Sequence, residues 1–416
     1  MSYKLIQADE ALTLSGVIKK DGRHIKVTDL GFIKKPWMLT DSKKILFIGN
    51  EKEFNQFYKK EMSKLKKPKI KDSSISGLIM PGFVESHTHT VFAGDRKHEF
   101  ELRNKGQSYQ DIAKSGGGIQ FTMDQTAKAS EKELYNLAHQ RVEEFLRQGV
   151  SVLEIKSGYG ADLKTELKIL NVIEKLNIEY NRKPKSISKK NFSSSNLKII
   201  PTFLGLHSVP KGQTKAEYLN LVLKKYLPEI TKKTKVRHAD IFCDEGYFDK
   251  NDLDLYVQTL RKLGWTFSAH TDQLSSLGLG LRAAELGALS ISHCVNMKDD
   301  EIKKVAQTNT VFNLLPTSDF YLKINYPKAR TMIDSGGNVS LATDFNPGSS
   351  PTQNINFVGV LARLEMKMSL PEVIGAYTYN AAKSLGLEKS QGSLQSGCEA
   401  QFQILDKSWT DLFYQI

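Results

Sequence analysis

From about residue 77 onward, short apolar runs alternate with segments whose apolar positions recur every three or four residues. The runs at 78–84, 150–155, 197–204, 239–243, 265–269, 288–292, 310–315 and 338–343 have strand length. The stretches at 130–148, 163–181, 215–227, 252–263, 277–286, 299–306 and 329–335 have helical spacing. Eight strands alternating with helices predict an α/β chain built on a (β/α)8 TIM-like barrel over 77–385. A doubly wound open sheet fits the same alternation, but no Gly-x-Gly-x-x-Gly follows the first strand. Residues 1–76 read instead as short β segments followed by a charged helical stretch over 51–67. A helix at 371–385 precedes turn glycines and a β-like run at 400–405. The two chain ends, 1–76 and 386–416, are therefore expected to pair in a small β-sandwich domain.

Two inserts interrupt the repeat. Residues 94–126 separate the first strand from its helix and include Ser115-Gly-Gly-Gly118. Long loops on this side of a barrel build substrate pockets. The triple glycine is either a flexible turn or a cradle of backbone N–H groups for an anion. Residues 183–196, rich in Lys, Ser and Asn, read as a disordered surface loop.

Composition narrows the class. The 416 residues are 40% hydrophobic and 25% charged, an ordinary globular balance without an 18-residue apolar run. The N-terminus lacks a basic-then-apolar leader, and the three cysteines are scattered, so a cytoplasmic protein without a disulfide framework is expected. The net charge of +13 is spread along the chain with no aromatic-interleaved basic stripe. It reads as a lysine-rich solvated surface, not a nucleic-acid site.

The chemistry gathers at the strand ends. The first strand ends in His87 and His89, the second in Lys156-Ser-Gly-Tyr159, and the third in His207. The fifth, sixth and eighth end in His270, His293 and Asp344. Five of the nine histidines thus fall on the face where barrels carry their active sites. His-x-His in an extended chain turns both rings to one side. Three histidines and a carboxylate from separate strands suit one first-row metal ion with room for water. Asp344 can serve as ligand and proton acceptor, with His207 and His293 facing substrate to bind or polarise a carbonyl oxygen. Lys156 admits three readings: a carboxylated bridge between two metals, a partner for a substrate carboxylate, or a structural ion pair. No further acidic ligand stands out, which favours one metal.

Further stretches carry a resemblance. Pro81-Gly-Phe-Val-Glu-Ser-His-Thr-His89, continuing through Arg96, is joined by Gln107-Ser-Tyr-Gln-Asp-Ile112 and Gly116-Gly-Gly-Ile119. Glu154-Ile-Lys-Ser-Gly-Tyr-Gly160, His270-Thr-Asp-Gln273 and Leu341-Ala-Thr-Asp-Phe-Asn-Pro-Gly-Ser-Ser-Pro-Thr352 complete the set. From about residue 40 to its C-terminus, the chain resembles the amidohydrolase superfamily and, more narrowly, its imidazolonepropionase family. The resemblance implies one divalent or trivalent metal ion, zinc or iron, on His87, His89, His270 and Asp344. It implies substrate contacts from Arg96, Tyr159 and His207, with Tyr109, Gln273 and His293 around the ring. Asn346, Gly348 and Ser349 would complete the pocket at the carboxylate end. The planar fork of Arg96 suits a propionate.

The implied reaction is hydrolysis of the cyclic amide of 4-imidazolone-5-propanoate to N-formimidoyl-L-glutamate. Metal-bound hydroxide would attack the ring carbonyl, His293 would steady the oxyanion, and Asp344 would pass the proton to the leaving nitrogen. The implied partners are this small molecule and a second copy of the chain in a homodimer. The rivals are a heterocycle deaminase on the same scaffold and a non-catalytic binding protein. Arg96, Tyr159 and the 346–349 loop favour an acidic substrate over the first, and a full ligand set disfavours the second. Two departures from the family, the ending at Asp411-Leu-Phe-Tyr-Gln-Ile416 and the run Ala400-Gln-Phe-Gln403, fall in the small β-domain.

Overall fold

The computed structural model describes residues 2–41, 43–62, 69–107, 111, 117–182, 197–406 and 408–416. Strands β1 (Ser2–Leu12), β2 (Phe32–Lys34), β3 (Trp37–Thr40), β4 (Ile45–Gly49) and β5 (Lys69–Pro81) open the chain. The barrel strands are β6 (Phe83–Glu85), β7 (Val150–Lys156), β8 (Lys198–Leu206) and β9 (His238–Cys243), then, past the short β10 (Thr266–Phe267), β11 (Ala269–Thr271), β12 (Ser290–His293), β13 (Val311–Leu314) and β14 (Asn338–Leu341). A last strand, β15 (Phe402–Leu405), follows near the C-terminus.

The eight barrel strands lie in parallel in the order β14-β13-β12-β11-β9-β8-β7-β6. A parallel bridge between Thr88 and Phe345 links the segments that follow β6 and β14, nearly closing the ring. All eight expected strands are present. Parallel strands are covered on both faces, which explains why β7 and β9 are buried along their whole length. Outside them, helices such as Glu131–Arg147 and Leu163–Arg182 turn their apolar stripes inward. Ser130 caps the first of these, its Oγ accepting from the Glu133 N–H at 3.2 Å.

The expected first barrel strand at 78–84 proves to be two strands. Residues up to Pro81 belong to β5, where they pair with β15, and only Phe83–Glu85 pairs with β7. Continuous apolarity concealed the break at Gly82, whose missing side chain leaves room for the Ser151 hydroxyl. The 94–126 insert also differs from a plain loop, since it contains helices Lys97–Asn104 and Ile119–Lys128. The 183–196 insert lies outside the described residues.

Both chain ends do meet in one β-domain, but its six strands form a single mixed sheet, β15-β5-β1-β3-β4 with β2 on β1, not a sandwich. The alternation of β1 accounts for this. Tyr3 and Leu5 face Phe54 and Met62 of the helical segment 51–62, so a helix covers that face where a second sheet would have to lie. Ile6 and Ala8 pack on the other side with Met38, Ile79, Leu394 and Phe402. The connecting residues 13–30 run under the barrel. There the Arg23 guanidinium donates to the carbonyls of Ala306 (2.7 Å), Thr308 (2.8 Å) and Gly336.

The last residues dock on the barrel. The Phe413 ring stacks on Tyr377 at 5.6 Å and tilts against Phe83 at 5.7 Å, and the Arg363 guanidinium donates to the Phe413 carbonyl at 2.9 Å. No described helix is long and apolar enough to cross a membrane. We expect Phe413→Ala to cost about 3 kcal/mol, the usual penalty for emptying a buried aromatic site. Urea unfolding followed by fluorescence checks this; an unchanged midpoint would show that the tail does not hold the barrel.

Candidate active site

Beyond β6 the chain stays extended, and its central residue is held on the outer side. The Thr88 N–H donates to Glu154 Oε2 at 3.1 Å, and its hydroxyl donates to the Glu154 carbonyl at 2.7 Å. His87 and His89 therefore project together from the opposite side. Glu85, at the strand end, accepts from the N–H groups of Thr343 (3.1 Å) and His87 (3.3 Å), fastening the first strand end to the eighth. Burial pushes its carboxyl up to about 8.

The ligand atoms of His87, His89 and His270 lie within 4.8 Å of one another. Asp344 Oδ1 sits 3.5 Å from His87 Nε2 and 3.4 Å from His89 Nε2. Donors 2.0–2.1 Å from a tetrahedral ion are about 3.4 Å apart, so this spacing matches the edge of a tetrahedral donor set. The outer nitrogens of two rings are spoken for. His87 Nδ1 bonds Ser292 Oγ at 3.0 Å, and His270 Nδ1 bonds Asp240 Oδ1 at 3.1 Å. Asp240 can only accept, so His270 Nδ1 carries the proton and its Nε2 is a bare acceptor, and the Ser292 hydroxyl can accept from His87 Nδ1 to leave that ring the same way; both Nε2 atoms are buried with no hydrogen bond. Burial, the largest cause, holds His87 and His89 well below the usual imidazole range, so they are neutral, as ligation requires. The donor set fits a metal ion.

Lys156 is the structural member among its three readings. Its ammonium contacts Glu154 Oε1 and Asp240 Oδ2, each at 2.8 Å, and all three side chains are buried. Burial lowers the lysine, but the two carboxylates outweigh it and leave its pKa raised. For Asp240 the balance is similar: burial raises it, yet His270 and Lys156 together drive it far below the carboxylate range. A charged lysine so held is not available as a carboxylated bridge.

Around this floor a cleft opens, lined by His89, Arg96, Tyr159, His207, His270, Gln273, His293, Asp344, Asn346 and Ser349. His87 lies beneath them, fully buried. Gly348 backs the cleft instead of lining it: a side chain there would overlap the Arg96 guanidinium. Tyr109 lies outside the described residues, as do Ser115 and Gly116 of the triple-glycine stretch. The Gly118 N–H donates to Glu99 Oε1 at 2.7 Å, so at that residue the donor is used within the protein.

Two expectations change. His207 Nδ1 lies 3.1 Å from the Gly158 carbonyl, a partner that only accepts, so Nδ1 carries the proton. Burial keeps the ring neutral, which leaves Nε2 an acceptor unable to polarise a carbonyl oxygen. Gly348 and Ser349 are expected to complete the pocket at the carboxylate end, but their N–H groups both donate to Asn346 Oδ1 at 2.8 Å. They shape the turn that presents Asn346.

His293 and Asp344 share an unusual backbone, with φ of 71° and 51°. Side-chain-bearing residues in the left-handed region are uncommon and concentrate at functional sites. Here the turn swings both side chains from their strands over the metal face. Sequence reasoning missed Asp240, Glu154 and Glu85 beneath the site and the apolar lining of Ile119, Phe242, Leu274 and Leu322. Charged residues inside otherwise apolar strands were the available signal for the first three.

Residues 120–413 match the model of the amidohydrolase family. Across its whole length the chain is 42% identical to an imidazolonepropionase of Bdellovibrio bacteriovorus, covering 93% of that protein. It is 36% identical to an imidazolonepropionase of Clostridium tetani, over 96% of this chain and 90% of the other. A probable imidazolonepropionase of Homo sapiens is 37% identical over 81% of this chain and 77% of its own. Among solved structures, a triazine hydrolase variant superposes with a TM-score of 0.67 at 14% identity, covering 97% and 86% of the two chains. A zinc-bound adenosine deaminase from Xanthomonas campestris gives 0.63 at 13% identity, covering 99% and 88%. At such identities these two structures show a shared fold alone.

Replacing Asp240 by Asn removes the charge that orients His270 and half of the compensation for Lys156. We expect metal affinity to fall about 10–100-fold, the usual range for losing such an outer partner. Competition with a graded series of chelators measures it, and unaltered affinity would show that Asp240 does not govern His270.

Proposed function

The chain belongs to the amidohydrolase family, in its imidazolonepropionase branch, and on that premise we propose how its cleft hydrolyses the cyclic amide of 4-imidazolone-5-propanoate to N-formimidoyl-L-glutamate. One observation carries the reading: His89, His270 and Asp344, converging above the buried His87, share a cleft with a buried arginine, Arg96. A molecule with a ring amide and a short carboxylate arm matches both at once.

His87, His89, His270 and Asp344 hold the ion, zinc or iron. When bound, it supplies Lewis acidity that polarises the amide carbonyl and acidifies water. Arg96 receives the propionate, with Asn346 and Ser349 on the adjoining wall. Tyr159, whose ring lies 5.6 Å from His207 and 5.8 Å from His89, packs against the heterocycle. His207 accepts a ring N–H through Nε2. Gln273, its backbone anchored by Asp244 at 2.8 Å, orients the ring without acting as a base.

Burial pushes His293 down to about 3, so at neutral pH it is a neutral ring. It can donate one N–H to the oxyanion that forms as water adds to the carbonyl carbon. Asp344 is buried beside the two first-strand histidines and presents a carboxylate to the cleft, where it can take up a proton and release it. In this account Asp344 takes the proton from water and delivers it to the ring nitrogen as the carbonyl C–N bond breaks. The hydroxyl ends on the carbonyl carbon and the proton on the leaving nitrogen.

Incubating purified, metal-loaded protein with imidazolone propionate should open the ring and release formimidoylglutamate. Folded, loaded protein that leaves the ring intact would overturn the reading. Arg96→Ala should raise KM about 30-fold or more, since truncating one partner of a buried charge pair costs roughly 2–5 kcal/mol. Steady-state kinetics test this, and an unchanged KM would remove Arg96 from the site.

A further inference from the structure

The helix that follows Arg96 carries a buried carboxylate that the reaction does not use. Glu99 lies one turn into Lys97–Asn104 and is almost fully buried. Its Oε2 accepts from Arg96 Nε at 2.8 Å and contacts Arg96 Nη2 at 2.7 Å. Its Oε1 accepts the Gly118 N–H at 2.7 Å. One carboxylate thus grips one edge of the guanidinium and pins the start of helix Ile119–Lys128, whose first residue lines the cleft.

The opposite side of Arg96 is defined by an absence. A Cβ on Gly348 would stand 2.0 Å from Arg96 Nη1 and 2.3 Å from Cζ, so only glycine lets the guanidinium lie there. Gly348 is itself held, since Arg103 Nη2, one turn beyond Glu99 on the same helix, donates to its carbonyl at 3.2 Å. Arg103 Nη1 also donates to the Tyr321 carbonyl at 3.3 Å. A guanidinium has many rotamers and is costly to immobilise. This one is set in its plane by a carboxylate on one edge and a bare backbone against its face.

We propose that Glu99 and Gly348 are positioning residues that aim Arg96 at the substrate's carboxylate, and so determine selectivity for an acidic over a neutral side arm. This rests on the reading of Arg96 as the carboxylate receptor. A planar fork discriminates only when its plane is fixed, because paired N–H···O bonds need both oxygens in register. Glu99 makes no substrate contact in this account. It acts through Arg96.

The test compares imidazolone propionate with its neutral propionamide analogue on metal-loaded enzyme. The readout is the ratio of kcat/KM for acid to kcat/KM for amide, measured for the wild type, Glu99→Gln, Gly348→Ala and Arg96→Ala. Active-enzyme concentration cancels in that ratio, so partial misfolding does not mimic the effect. Losing an aligned charge-assisted pair should lower it about tenfold or more. We expect all three variants to lower it, Arg96→Ala most. A purely structural Glu99 would depress both substrates equally. If Arg96→Ala collapses the ratio while Glu99→Gln and Gly348→Ala preserve it, the positioning role is overturned and the receptor reading survives. If Arg96→Ala itself preserves the ratio, the receptor reading fails and the positioning role fails with it.

Discussion

The site depends on a lysine ammonium buried between two carboxylates. Lys156 touches Glu154 and Asp240 at 2.8 Å each, and Asp240 turns its other oxygen to His270. A charge placed so deep in a barrel costs several kcal/mol unless it is paired and hydrogen-bonded. Here the pairing links side chains of β7, β9 and β11, with β8 lying between the first two, so the cost of breaking it ties these strands together across the barrel. Ionised throughout, the triad has one surplus negative charge, and Asp344 adds another. Together they would offset a divalent ion. The same cluster thus fixes the ligand geometry and supplies a compensating field.

The second constraint lies in the backbone. His293 and Asp344 occupy the left-handed region, at a cost of about 1–3 kcal/mol each. Surrounding contacts hold them: Glu85 accepts the Thr343 N–H and Asn346 donates to the Asp344 carbonyl at 2.7 Å, while the Cys294 N–H next to His293 donates to the Thr271 carbonyl at 3.1 Å. Both residues are consequently placed before substrate arrives, and little reorganisation is left for the chemical step.

Much of this was legible in the chain. The alternation of strands and helices gave the barrel, and histidines at successive strand ends gave the metal face, because strand parity fixes which side chains share a surface. Asp240 is not legible as a site residue because it stands within the strand His-Ala-Asp-Ile-Phe-Cys and not at its end. Nor is Glu99, because its helix lies in an insert that reads as loop. The protonation pattern of His207 depends on the Gly158 carbonyl, a partner 49 residues away that periodicity cannot reveal. The β-domain was read as a sandwich because apolar alternation reports two buried faces without saying whether sheet or helix covers each.

If Lys156 is committed to Glu154 and Asp240, one ion per chain is all the site can use. Stripping the metal and titrating zinc or iron back while following ring opening tests this most directly. Activity should rise linearly and reach its plateau at one equivalent per chain, with the inflection in bound metal at the same point. A plateau requiring a second equivalent would contradict the account, because it would return Lys156 to the role of a bridge.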